Sequence, residues 1–229
     1  MPIPSTPGRF FGPDALAFLR DLSRHNDRPW FQENKGRYER AVQAPALRFI
    51  EAMAPKLARL SSHLVADARP FGGSMTRIYR DTRFSKDQSP YHTHIGIHFS
   101  HDQAGKEQNL PGFFFRLCPG ESFVASGVWR PEPPALNRIR RAIVTSPTSW
   151  GRAVGNGVEL GGESYVRVPP GIDPNHRYAN DLRHKDFVAM LPFRDREISA
   201  PSFGRGFEAA CRRLNPLNRF LAGALGIPW

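Results

Sequence analysis

The chain has 229 residues, 40% of them apolar and 23% charged, which suits a packed globular core and excludes disorder as the default. Its formal net charge is +11, and 27 of the 32 basic residues are arginine, a planar fork suited to phosphate and carboxylate. The arginines are spread along the chain rather than gathered in a tail, so an acidic partner is one reading and a solvated basic surface is the other.

Cys118 and Cys211 are far apart and belong to no Cys-x-x-Cys pair, which argues against a disulfide framework or a thiolate zinc site and fits a reducing cytoplasm. Met1 to Phe11 has no continuous apolar run of the signal-peptide kind, and no uncharged apolar stretch approaches the roughly 20 residues that span a bilayer. The expectation is a cytoplasmic protein that does not enter membranes.

In chain order, Gly12-Pro13-Asp14 opens a helix whose Ala15, Phe18, Leu19 and Leu22 share one face. Asn26-Asp27-Arg28-Pro29 restarts a second helix with Phe31, Tyr38 and Val42 inward, ended or kinked at Pro45 and continued through Pro55. Phe71-Gly72-Gly73 then changes the regime. Ser74 to Asp81 alternates like a strand, Thr82 to Tyr91 reads as a loop, and Thr93, Ile95, Ile97 and Phe99 alternate with His92, His94, Gly96 and His98. His101 to Pro111 is polar and reads as a loose connection.

Gly112 to Cys118 and Ser122 to Val128 form a hairpin around Pro119-Gly120-Glu121. A helix over 135–145 buries Leu136, Ile139 and Ile143, and Pro147 to Val154 adds a short one. Glu163 to Val168 is a fifth strand candidate, Asn180 to Met190 a helix, and Pro201 opens a C-terminal helix interrupted by Pro216. No repeat or composition shift forces a domain boundary. The pattern predicts one α+β domain over 1–229, with a mainly antiparallel or mixed sheet, an N-terminal helical hairpin and C-terminal helices packed around it.

The densest chemistry lies at 77–98. Arg77, Arg80, Arg83 and Lys86 fall within ten residues, so a modest bend brings several onto one anion, with Tyr91 beside them. Asp81 and Asp87 admit a plainer reading in which they neutralise the arginines. His94 is a candidate acid/base, alongside Asp81 and Tyr91, and His94 with His98 are candidate ligands for a divalent metal completed from another strand. Trp129-Arg130 reads as either a pocket rim or a core anchor, and Glu121 as a carboxylate partner for the histidines. Walker, dinucleotide-binding, nucleophile-elbow and His-Glu-x-x-His motifs are all missing from the sequence.

Arg77-x-x-Arg80-Asp81-x-Arg83-Phe84, followed by Asp87 and Tyr91, resembles the signature of the DUF2461 family, also described as TIGR02453. Trp30-Phe31, Asn34-Lys35, Tyr38, Gly120-Glu121-Ser122, Trp129 to Pro131, Pro169-Pro170-Gly171 and Leu182-Arg183 with Lys185 and Phe187 extend the likeness over nearly the whole chain. The resemblance implies a bacterial-type cytosolic protein and supplies no reaction. One position departs from it: Gln88 stands where the signature has lysine, with Lys86 the nearest replacement. The expected function is binding of a phosphate-bearing or other anionic ligand, a nucleotide or nucleic-acid backbone, at Arg77, Arg80, Arg83, Lys86 and Tyr91. A metal-dependent hydrolase and a non-catalytic protein-interaction module are the alternatives.

Overall fold

A computed structural model describes residues 9–104, 109–155 and 157–229. The stretch Met1 to Gly8 and part of the connection between His101 and Pro111 therefore lie outside the described residues.

Helix α1 (Pro13–Arg24) starts on Pro13 with Asp14 in its first turn, and buries Ala15, Leu16, Phe18, Leu19 and Leu22. Helix α2 (Arg28–Tyr38) is capped by Asp27, whose carboxylate accepts the Trp30 amide at 2.9 Å. A π-helical turn at Glu39–Gln43 joins α2 to α3 (Ala44–Ala58). The bend expected at Pro45 is realised as that turn, which widens the backbone just before a residue lacking an amide donor.

The sheet is antiparallel throughout, in the order β1-β2-β3-β5-β4. Strands β1 (Ile95–Phe99), β2 (Gly112–Leu117) and β3 (Ser122–Val128) fall where alternation placed them. After β3 come α4 (Pro133–Thr145), α5 (Pro147–Ala153), β4 (Leu160–Gly161), α6 (Ala179–Leu182), β5 (Phe187–Phe193), α7 (Asp195–Ile198) and α8 (Phe203–Leu225). The fold is α+β, as the pattern implied.

Four expectations are corrected. Ser74 to Asp81 is extended, but it pairs only through isolated bridges, Met75 with Ile97 and Tyr79 with Tyr91. Glu163 to Val168 is not a strand; β4 precedes it, and Ser164 makes one bridge to His184. Asn180 to Met190 is helical only as far as Leu182, and Phe187 starts a strand paired along all of β3. The aromatic and branched run Phe187-Val188 and its burial outweigh the helical spacing. Pro192 is tolerated in β5 because β4 pairs only at Val188 and Ala189, leaving β5 an edge strand at that point. Finally, Pro216 does not interrupt α8. It is exposed, so the carbonyl it leaves unpaired one turn earlier, at Arg212, faces water.

The inner face of the sheet is covered by α8 and, over β1 and β2, by Phe49 of α3. Phe49 of α3 meets the rings of Phe11, Phe115, Phe203 and Phe207 at 5.0–5.6 Å. Two buried polar contacts fix α8 on the strands: Ser126 donates to the Leu214 carbonyl and Asn218 donates to that of Gly112. The outer face is different. Its rows are His98, Phe114, Ala125 and Met190; Gly96, Arg116, Phe123 and Pro192; and Gly112, Gly127, Val188 and Gly161. No helix among the described residues is long and apolar enough to cross a membrane.

Candidate functional site

The arginine loop satisfies its charges internally. Arg80 reaches the Asp87 carboxylate, the Ser89 carbonyl at 3.2 Å and the Ser85 hydroxyl at 3.4 Å. Asp87 also accepts the Ser89 amide and hydroxyl, and these bonds, with Arg80, pull its pKa down to about 2. Arg83 forks onto Asp81 two residues earlier, through Nε at 3.0 Å and Nη2 at 2.7 Å, with both side chains largely in solvent. Gln88 donates to the carbonyls of Thr82 and Ser85 and so staples the loop shut. The position that departs from the family signature thus has a structural task here. Arg77 and Lys86 are exposed and have no partner among the described residues.

Tyr91 anchors this loop to the core. It is 2% exposed and stacks on Phe31 with ring centroids 4.1 Å apart. Asn26 holds its backbone at both ends, accepting from the Tyr91 amide at 3.0 Å and donating to its carbonyl at 2.9 Å. Burial raises the phenol's pKa, as expected for a ring whose work is packing.

Between the two isolated bridges, Tyr91 to Ile97 contains two more residues than Met75 to Tyr79. The surplus falls at 93–95, between the His92 amide's bond to Ile78 and the Thr76 amide's bond to Gly96, so the bulge carries His94, whose ring lies 5.3 Å from that of His92. A bulge next to an edge re-aims side chains, and both imidazoles feel the charge of a guanidinium. The His92 pKa is lowered by desolvation and then by Arg80. That of His94 falls to about 4, through desolvation, then Arg116, then His92. His94 is therefore neutral at pH 7, offering one N–H and one lone pair, and it sits in a positive field.

Arg116 projects from β2 on the outer face, opposite Gly96 and Phe123. Its pairing is poor. Nη2 is 3.5 Å from Glu121 and 3.8 Å from the Cys118 sulfur, and the buried Nε has no partner among the described residues. A cavity of 650 Å³ opens over it, lined also by Glu121, Phe123, Pro192, Arg194 and Glu197.

Phe123 is shared with a second hollow of 510 Å³, lined by His98, Phe114, Ala125, Trp129 and Met190 among others. The glycine row makes its floor. Gly127 has φ +123°, and a Cβ there would come within 1.9 Å of the Phe187 carbonyl oxygen, so only glycine fits. Trp129, half exposed, stands at the rim with the Arg130 guanidinium 5.8 Å from its ring. Arg130 is the one non-glycine residue with positive φ among the described residues, at +45°. The buried Asp186 holds it there, accepting the Arg130 amide at 2.7 Å and the Glu163 amide at 3.3 Å. A strained backbone held by a buried carboxylate fixes where Trp129 stands. Of the two readings of Trp129-Arg130, the pocket rim is the one realised.

The structure therefore separates what the sequence grouped. His94 feels the charge of Arg116, not that of Arg83 or Lys86. Asp81 serves Arg83, Tyr91 belongs to the core, and His98 lies on the hollow, its pKa lowered by desolvation. Glu121 sits beside Arg116 instead of completing a histidine set. Neither His94 nor His98 is gathered with two further ligand groups. Among the described residues only His63, His101 and Asp102 are so gathered. Sequence reasoning missed Arg116, and the available signal was a lone arginine at an outward position in the aromatic run Phe113-Phe114-Phe115.

No curated protein and no solved structure matches the chain. A family model described as "Conserved hypothetical protein (DUF2461)" matches residues 14–220, which contain both the arginine loop and the outer-face cavities. The chain belongs to the DUF2461 family.

Proposed function

We propose that the protein binds a small phosphate-bearing anion on the open face of its sheet, with the acidic group at Arg116 and His94. The observation that carries this reading is the Arg116 guanidinium: its Nε is buried without a partner, and its one carboxylate neighbour lies at the limit of bonding distance. The partly exposed end of that guanidinium faces the cavity, and an anion's oxygens there can give it shorter charge-assisted bonds than Glu121 does. The charge of Arg80, felt at His92, adds to the field, while neutral His94 supplies a hydrogen-bonding group. The shared wall at Phe123 lets the rest of the ligand run from the Arg116 cavity into the apolar hollow below Trp129, as the base of a nucleotide would.

This reading keeps the anionic ligand expected from the sequence and moves its anchor off the loop, since Arg80 and Arg83 already hold carboxylates. A cytoplasmic setting belongs to the same proposal, supported by two buried cysteines that remain free thiols. Calorimetry with inorganic phosphate and with adenosine monophosphate tests it. Binding of either is expected, tighter for the nucleotide, and about tenfold or more weaker in Arg116→Gln. Unchanged affinity in that variant would remove the site. Tight binding of a long oligonucleotide that collapses with salt would instead favour a nucleic-acid backbone as partner.

A further inference from the structure

A second cluster lies away from the outer-face cavities, where the chain after α3 runs antiparallel to the end of β1. The Val65 amide donates to the Ser100 carbonyl at 2.9 Å, Leu64 bridges His101, and the Asp102 amide donates to the His63 carbonyl at 2.8 Å. This ladder sets His63 opposite Asp102, with His101 next to it. The two imidazoles are parallel within 3°, centroids 5.2 Å apart. Asp102 faces both rings: one carboxylate oxygen is 2.9 Å from His63 Nδ1, the other 3.1 Å from His101 Nδ1.

The protons at His101 are constrained. Its side chain is fully buried, and Nε2 lies 2.8 Å from the Pro228 carbonyl, which can only accept. Nε2 therefore carries a hydrogen. In the neutral ring Nδ1 then presents a lone pair, which accepts the Gln103 amide at 3.1 Å and also faces an Asp102 oxygen. Two lone pairs at that separation repel unless a positive charge lies between or beside them. An imidazole that donates its far N–H to a backbone carbonyl while turning its near nitrogen toward a carboxylate has the outer-shell arrangement of a metal ligand.

We propose that His63 Nδ1, His101 Nδ1 and the Asp102 carboxylate bind a divalent transition cation of the zinc class. One ligand atom from each of the three residues lies within 4.8 Å of the other two. Ligands at zinc bond lengths sit about 3.3 Å apart, so closure needs an inward movement of the partly exposed His63 and exchange of the Gln103 amide for the cation at the His101 Nδ1 lone pair. Two imidazoles and one carboxylate select zinc, cobalt or iron(II) over the oxygen-seeking magnesium and calcium. Because His63 and Asp102 are open on their outer side, the fourth position is left for water or an exogenous ligand. Through His101 and Pro228 the cation also ties the C-terminal segment to this corner, where Trp229 packs on the His101 ring at 6.2 Å.

The test uses tag-free full-length protein stripped with chelator and titrated with Zn²⁺, then with Co²⁺. One equivalent is expected to bind, with a rise in melting temperature and, for cobalt, the visible absorption of a four-coordinate ion; Mg²⁺ should do nothing. Asp102→Asn and His63→Gln change partly exposed side chains, so both variants should fold and bind at least about tenfold more weakly. His94→Gln with His98→Gln should leave binding intact. Absence of stoichiometric binding, or equal binding in Asp102→Asn and His63→Gln, would overturn the assignment.

Discussion

Two regions of this protein carry positive charge, and they use it in opposite ways. The loop from Arg80 to Ser89 has the higher density, yet Arg80 and Arg83 each hold a carboxylate from the same loop. On the outer face of the sheet, Arg116 lies beneath a cavity with one distant carboxylate and, among the described residues, an unpaired Nε. Density of charge along a chain measures opportunity for pairing as much as capacity for binding. A guanidinium that has already found its carboxylate offers little to a ligand, while a poorly paired one beside a cavity offers most of its bonding potential.

The largest expected effect is on stability against pH. His94 is held neutral by burial and by Arg116, with a pKa of about 4 against 6.5 when unfolded. Between those values the unfolded chain takes up a proton that the folded one refuses, so stability is full above pH 6.5 and falls as pH drops toward 4. The full difference amounts to about 3 kcal/mol at most, less for screening at a partly exposed ring. Chemical denaturation of His94→Gln across that range should show a flatter profile than the parent; an identical profile would mean that the field at His94 is wrong.

Arg80→Ala comes next. It strips three bonds from a loop hung on the core and should cost about 1–2 kcal/mol in a urea titration. Arg116→Gln, by contrast, removes an ill-paired group and should leave the midpoint close to that of the parent. Gln88→Ala should cost about 1 kcal/mol by releasing the carbonyls of Thr82 and Ser85, with Gln88→Lys recovering part of it because an ammonium can donate to both. The smallest effect belongs to Arg83→Ala. Its pair with Asp81 is exposed and local, and no change in melting temperature should be measurable.

The sequence was most legible where local chemistry and burial agree. The Pro13 start, the Asp27 cap and the alternation of β1 to β3 all carry signals that the packed structure reinforces. It was least legible where tertiary context decides. Phe187 to Phe193 has helical spacing upstream and becomes a strand because β3 offers it a full ladder. Pro216 sits inside a helix because its solvent-facing side tolerates the lost bond. At the site, His94 was legible as chemistry, but its partner was not. Arg116 is 22 residues away and meets it only because β1 and β2 pair with Gly96 opposite Arg116. His63 and His101 are further apart still, joined by two backbone bonds that no spacing rule encodes.

The most direct test of the contrast is adenosine monophosphate binding by calorimetry in the parent, Arg116→Gln and Arg83→Gln, at one salt concentration. Parental affinity is expected in Arg83→Gln and a loss of about tenfold or more in Arg116→Gln. The opposite order, or equal losses in both, would place the anion on the loop and contradict the Arg116 site.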